Sequence, residues 1–147
     1  MIPHTPAAIG YIAQRLMTHV APELRTQFGV ADLALIGTLL SMIGQDFERA
    51  AEARLLDIRE MRDIFSDAEN VLKDDTLNAR TAEARARPLH DLRITALDEA
   101  HAVHSKLLIE VHARVEQHTG GAATQINLRI WEYLARHAER HSYEAAV

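Results

Sequence analysis

Cysteine is absent from this chain, and that absence removes disulfides, thiolate metal sites and thiol nucleophiles together. Aromatic residues are scarce, at 5%, too few for the stacking platforms that hold single-stranded nucleic acid. A basic balance is also missing. The 21 acidic and 16 basic residues leave a net charge of −5, whereas nucleic-acid binders present a basic face. No basic segment followed by an apolar run opens the sequence, so no secretory signal is expected. The longest charge-free stretch in the middle of the chain, Leu33 to Gln45, is short of a bilayer span. A soluble, cytoplasmic protein with neither nucleic-acid nor membrane partners is the expectation.

Glycine and proline are few and fall at breaks, and no segment alternates with period two, which leaves helix throughout. At 147 residues the chain fits one domain with a core of its own. Thr5 before Pro6 marks the start of a first helix, with Ile9, Ile12, Leu16 and Val20 as its apolar stripe. Pro22 kinks or ends it and Gly29 closes the connection. A second helix runs from about Asp32 to at least Phe65, its core positions being Leu33, Ile36, Leu40, Ile43, Phe47, Ala51, Ile58, Met61 and Phe65. Ser66 with Glu69 forms a capping-box pattern that can restart the chain as a short extra helix near residues 67–73, and 73–80 reads as the main connection. A third helix is clear from Leu89 to His118 and stops at Gly120–Gly121; a fourth runs from about Ala122 to Ser142. The expected fold is all-α: an antiparallel up-down-up-down four-helix bundle with one long central helix.

Within the second helix, LALIGTLLSMI (33–43) is apolar on every side, and such a helix is buried on every side. Gly37, Ser41 and Gly44 share a face that lets another backbone approach. A central position in the monomer satisfies this pattern, and so does a homodimer interface, which is the expectation here. Leu128 and Trp131, on the outer side and edge of the fourth helix, point the same way.

Histidine is over-represented, at nine residues, three of them inside HAVHSKLLIEVH (101–112). The third helix turns Leu89, Ala96, Ala100, Leu107 and Val111 inward. His104 projects into that stripe, His101 and His112 flank it, and His118 lies on it near the helix end. On the fourth helix the face of Ile126, Ile130 and Leu134 continues into His137 and His141, one turn apart. Folding the two helices about Gly120–Gly121 brings His104 level with His137 and His101 level with His141 or its neighbour. Arg54 sits in the middle of the second helix's apolar stripe. A buried guanidinium needs an anion or carbonyl, and Glu23, Glu48, Glu52, Asp57 or an exogenous anion can supply one.

Three functional readings follow. In the first, Arg54, His104 and His137 line a pocket for a small anionic or polar ligand, with Ala50, Ala51 and Ala100 leaving the volume and His101 and His141 completing it. In the second, His101, His104, His137 and His141 hold zinc, copper, nickel or iron. A nearby Arg54 opposes a cation, and no Glu-x-x-His occurs, which separates this chain from carboxylate-bridged di-iron bundles. In the third, the chain is an assembly or regulatory protein without a ligand. Set against all three, an imidazole on an apolar face is commonly a hydrogen-bonded core residue. No nucleophile motif, phosphate loop or nucleotide fingerprint points to a reaction.

Overall fold

A computed structural model describes residues 4–144. The fold is all-α with one long helix, as the sequence predicts, and no strand occurs among the described residues. Helix α1 is Thr5–Arg15, followed by a π-helical turn at Leu16–Val20 and a 3-10 turn at Ala21–Glu23. Helix α2 is Gln27–Glu69, α3 Asp75–Ala86, α4 Ile94–Val115 and α5 Gly121–Arg140. The chain divides into two compact units, residues 1–50 with 143–147 and residues 51–142, and α2 runs from one into the other.

In the first unit His4, not Thr5, caps α1, and it does so without a side-chain hydrogen bond. The small-residue face of α2 is taken up within the unit. A β-carbon at Gly37 would lie 3.3 Å from Met17 Sδ, and one at Gly44 would lie 3.6 Å from Ile9 Cγ2. Leu33 and Ala50 are buried, whereas Ile36, Ile43 and Phe47, which the sequence places in the core, are exposed.

The second unit carries a continuous apolar core. Ile58, Met61 and Phe65 of α2 meet Leu107, Val111 and Val115 of α4 and Ile126, Ile130 and Tyr133 of α5, with Leu72 and Leu77 closing one end. Burying side chains of this size is worth about 1.5–3 kcal/mol each, so this cluster fixes where the polar residues between its members end up.

Several helix boundaries differ from the sequence reading: α2 begins at Gln27, so Gly29 lies inside it, and α4 ends at Val115, short of His118. Ser66 does not restart a helix, because α2 continues through it to Glu69 and its hydroxyl accepts from Arg85 Nη2 at 3.0 Å. The additional helix lies later, over part of the expected connection. Asp74 is its N-cap, its carboxylate accepting from Leu77 N at 3.0 Å. Asn78 Nδ2 also donates to the Leu72 carbonyl at 2.9 Å, tying the end of the preceding turn to α3. Leu89 lies outside any helix: Pro88 disfavours the helical region for the residue before it. Arg87 accordingly adopts φ −66°, ψ 120°, and α4 begins only at Ile94.

Candidate metal centre

At the end of the second unit's core, α2, α4 and α5 each contribute to one polar cluster. Its centre is Asp57, fully buried although it is a carboxylate. On α2, Asp57 lies three residues after Arg54 and four before Met61, so helical geometry turns it toward the face that Ile58 and Met61 bury. From α5, His137 Nδ1 and His141 Nε2 each stand 2.8 Å from Asp57 Oδ2. From α4, His101 Nε2 lies 3.4 Å from the same oxygen. That nitrogen is buried and has no hydrogen-bond partner. The rings are close as well: centroids are 4.5 Å apart for His137 and His141, and 5.6 Å apart for His101 and His137, which stack.

Arginine organises the other side. Arg140 donates to Asp57 Oδ1 and to Glu60 Oε1, and Arg136 reaches Glu60 Oε2 at 2.7 Å. His137 and Arg140 lie in the last turn of α5 and His141 is its C-cap, where the helix dipole favours cations. Burial acts to raise the Asp57 pKa, but His101, His141 and His137 outweigh it and hold the carboxyl far below its ordinary range. Asp57 is therefore an anion at every pH near neutrality.

His104 belongs to a different environment. Its Nδ1 is 2.7 Å from the Ala100 carbonyl, and its Nε2 accepts from Arg62 Nε at 3.2 Å. Those partners require a proton on Nδ1 and a lone pair on Nε2, the neutral tautomer. Burial lowers the pKa of this imidazole, and the Arg62 charge adds to the shift. With both nitrogens engaged and the ring stacked on Phe65 at 6.0 Å, His104 has no lone pair to offer an ion.

The structure thus brings together His101, His137 and His141 but not His104. The hairpin is centred on residues 116–120 between α4 and α5, ahead of the Gly120–Gly121 midpoint, with Gly120 at φ 139° making the turn. That displacement shifts the pairing by about one helical turn, so His137 faces His101 instead of His104. Arg54 pairs with Asp98 on α4, and neither Arg54 nor His104 joins His137 in a common pocket. His112 contacts Asn127 Oδ1 at 2.9 Å, and His118 Nδ1 lies 2.8 Å from the Arg114 carbonyl.

Asp57, Glu60 and Arg140 are the residues that sequence reasoning missed. From sequence Asp57 reads as a partner for Arg54, whereas it is the buried centre of the cluster.

The donor set suits a borderline transition metal. Asp57, His101 and His137 each offer a ligand atom within 4.8 Å of the others, and His141 reaches the same carboxylate oxygen. Around a tetrahedral ion with metal–ligand bonds of 2.0–2.2 Å, donor atoms are separated by about 3.3 Å. His101 already stands at that distance from Asp57 Oδ2, and His137 and His141 are within about half an ångström of it. Ser105 Oγ lies 3.3 Å from His101 Nδ1, a contact of the kind that fixes a metal-ligating tautomer. No protein-family model, curated protein or solved structure matches this chain.

Proposed function

We propose that this protein binds one transition-metal ion, zinc being the best fit, through Asp57, His101, His137 and His141. The observation that carries this reading is the convergence of three imidazoles from two helices on one buried carboxylate oxygen. Nitrogen and oxygen donors without a thiolate suit zinc, nickel, copper(II) or iron(II). The imidazole side chains are a quarter to a third exposed while Asp57 is fully buried, so an ion has a route in from solvent. Asp57, His101 and His137 place three donors within reach of one ion, and His141, on the same carboxylate oxygen, is the candidate for the fourth position of a tetrahedral shell. Arg140 contacts the same carboxylate and opposes the ion's charge, so moderate affinity is expected. The anion-pocket reading has less support, because the cluster is built around an anion already and Arg54 is engaged with Asp98. A cytoplasmic setting goes with this proposal.

Titration decides the matter. Metal-stripped protein should take up one equivalent of Zn²⁺ by calorimetry and give the visible bands of tetrahedral cobalt with Co²⁺. Both signals should disappear in His137→Ala and Asp57→Asn. A wild type that takes up neither ion would identify the cluster as an ion-paired core.

A further inference from the structure

We propose that the exposed apolar face of the N-terminal half of α2 is the docking surface for a second copy of the chain, the two helices crossing antiparallel about a two-fold axis at Leu39. Phe28, Leu35, Ile36, Leu39, Ile43 and Phe47 are each at least two-fifths exposed, Phe28 reaching 83%. At 100° per residue these six fall within an arc of about 120°, a single stripe wide enough for helix packing. It is separate from the face that holds α1, which runs through Leu33, Gly37 and Gly44. The most apolar 18-residue window of α2 has a mean hydropathy of 1.5, yet only 11% of it is buried.

Area and symmetry select the occupant. Large apolar side chains carry on the order of 150–200 Å² each, so six residues about half exposed present roughly 500–600 Å². A symmetric pair removes about twice that from water, at the threshold of a specific interface. A two-fold contact must be self-complementary. With Leu39 at the axis, Leu35 of one copy meets Ile43 of the other and Phe47 meets the small Ala31. The facing stretch from Leu33 to Gln45 carries no charge. Asp32 lies on the stripe itself and comes level with Asp46 of the second copy, where Arg49 at 3.8 Å and the Tyr143 hydroxyl at 3.0 Å already contact Asp46 and offset the like charge. A bilayer is the competing occupant: the 18-residue apolar window is about 27 Å long as a helix, close to a hydrocarbon core of about 30 Å, but it carries Asp32, a charge that is costly in lipid.

The full chain should sediment at micromolar concentration with twice the chain mass, and Leu39→Lys should weaken the dimer at least tenfold with its helical circular dichroism retained. Because the chain lacks cysteine, introduced thiols give a second test that tolerates a poorly folding lysine variant. Leu39→Cys should form a disulfide-linked dimer on mild oxidation, and Leu35→Cys mixed with Ile43→Cys should link more than either alone. The exposed control Lys106→Cys should not link. A monomeric wild type overturns the proposal, as do thiols that fail to link. Flotation of the wild type with phosphatidylcholine vesicles would assign the face to a membrane instead.

Discussion

Asp57 and His141 stand 84 residues apart in sequence and 2.8 Å apart in space. With His137 on the same oxygen and Arg140 on the other, that contact commits a fully buried negative charge to the packing of α5 on α2. A buried carboxylate without such partners would be protonated or expelled. Here its partners keep it ionised, and so it becomes the part of the cluster that is most costly to alter.

Asp57→Ala is expected to destabilise the metal-free protein by about 3–5 kcal/mol at neutral pH, the range for removing one partner from a buried ionic network. Urea unfolding measures this directly. The folded pKa of Asp57 is lowered, so its stabilisation is present above the unfolded value of 3.8. It is lost as pH falls through the depressed folded pKa. The wild-type minus Asp57→Ala difference should therefore stay flat from neutrality to about pH 4 as far as this carboxyl is concerned, and shrink only in stronger acid.

His104→Leu should cost about 1–3 kcal/mol, because it leaves Arg62 Nε and the Ala100 carbonyl without their imidazole partner. Metal uptake should be unchanged. Unchanged or raised stability in that variant would show that His104 is not a satisfied core residue.

The same imidazole sets a pH dependence. The folded pKa of His104 lies below the ordinary 6.5, so between the two values the unfolded chain binds the proton and the folded one does not. Stability is then greatest above 6.5 and falls as pH drops below it. Burial and the Arg62 guanidinium from α2 disfavour protonation of the ring and outweigh its contacts with the backbone at Ala100 and Ala84, which favour it; His101 is the neighbouring titratable group on its own helix. Unfolding free energies at pH 7.5 and 5.5 should differ more in the wild type than in His104→Leu. Equal differences in the two proteins would remove His104 as the cause.

The helices were legible because apolar spacing at 3.6 residues survives whatever the tertiary contacts are, and the i, i+4 pair of His137 and His141 needed no more than that. Pairing between helices was not legible to better than a turn. The Gly–Gly signal marked the stop, but the bend is centred on the residues before it, and one turn suffices to exchange His104 for His101. Asp57 was overlooked for a related reason. An aspartate between arginines reads as part of a solvated face, and burial is revealed only when α4 and α5 are in place to cover it. The exposed Ile36, Ile43 and Phe47 reverse that case: among the described residues, α1, the turn after it and residues 143–144 pack on other faces of this helix and leave a stripe that looks like core bare.

Metal removal should register as a loss of stability. An ion that binds the folded state alone adds RT ln(1 + [L]/Kd), about 2.7 kcal/mol at a free concentration a hundred times Kd. For a unit of this size that raises the melting temperature by roughly ten degrees or more. Zn²⁺ added to stripped protein should produce that rise and a chelator should reverse it. In Arg54→Ala the increment should persist, because its ion pair with the half-exposed Asp98 is outside the cluster and such pairs contribute only about 0–1 kcal/mol. In His137→Ala it should vanish. If Arg54→Ala lost the increment while His137→Ala kept it, the ion would have to sit near Asp98, and the ligand set named here would be wrong.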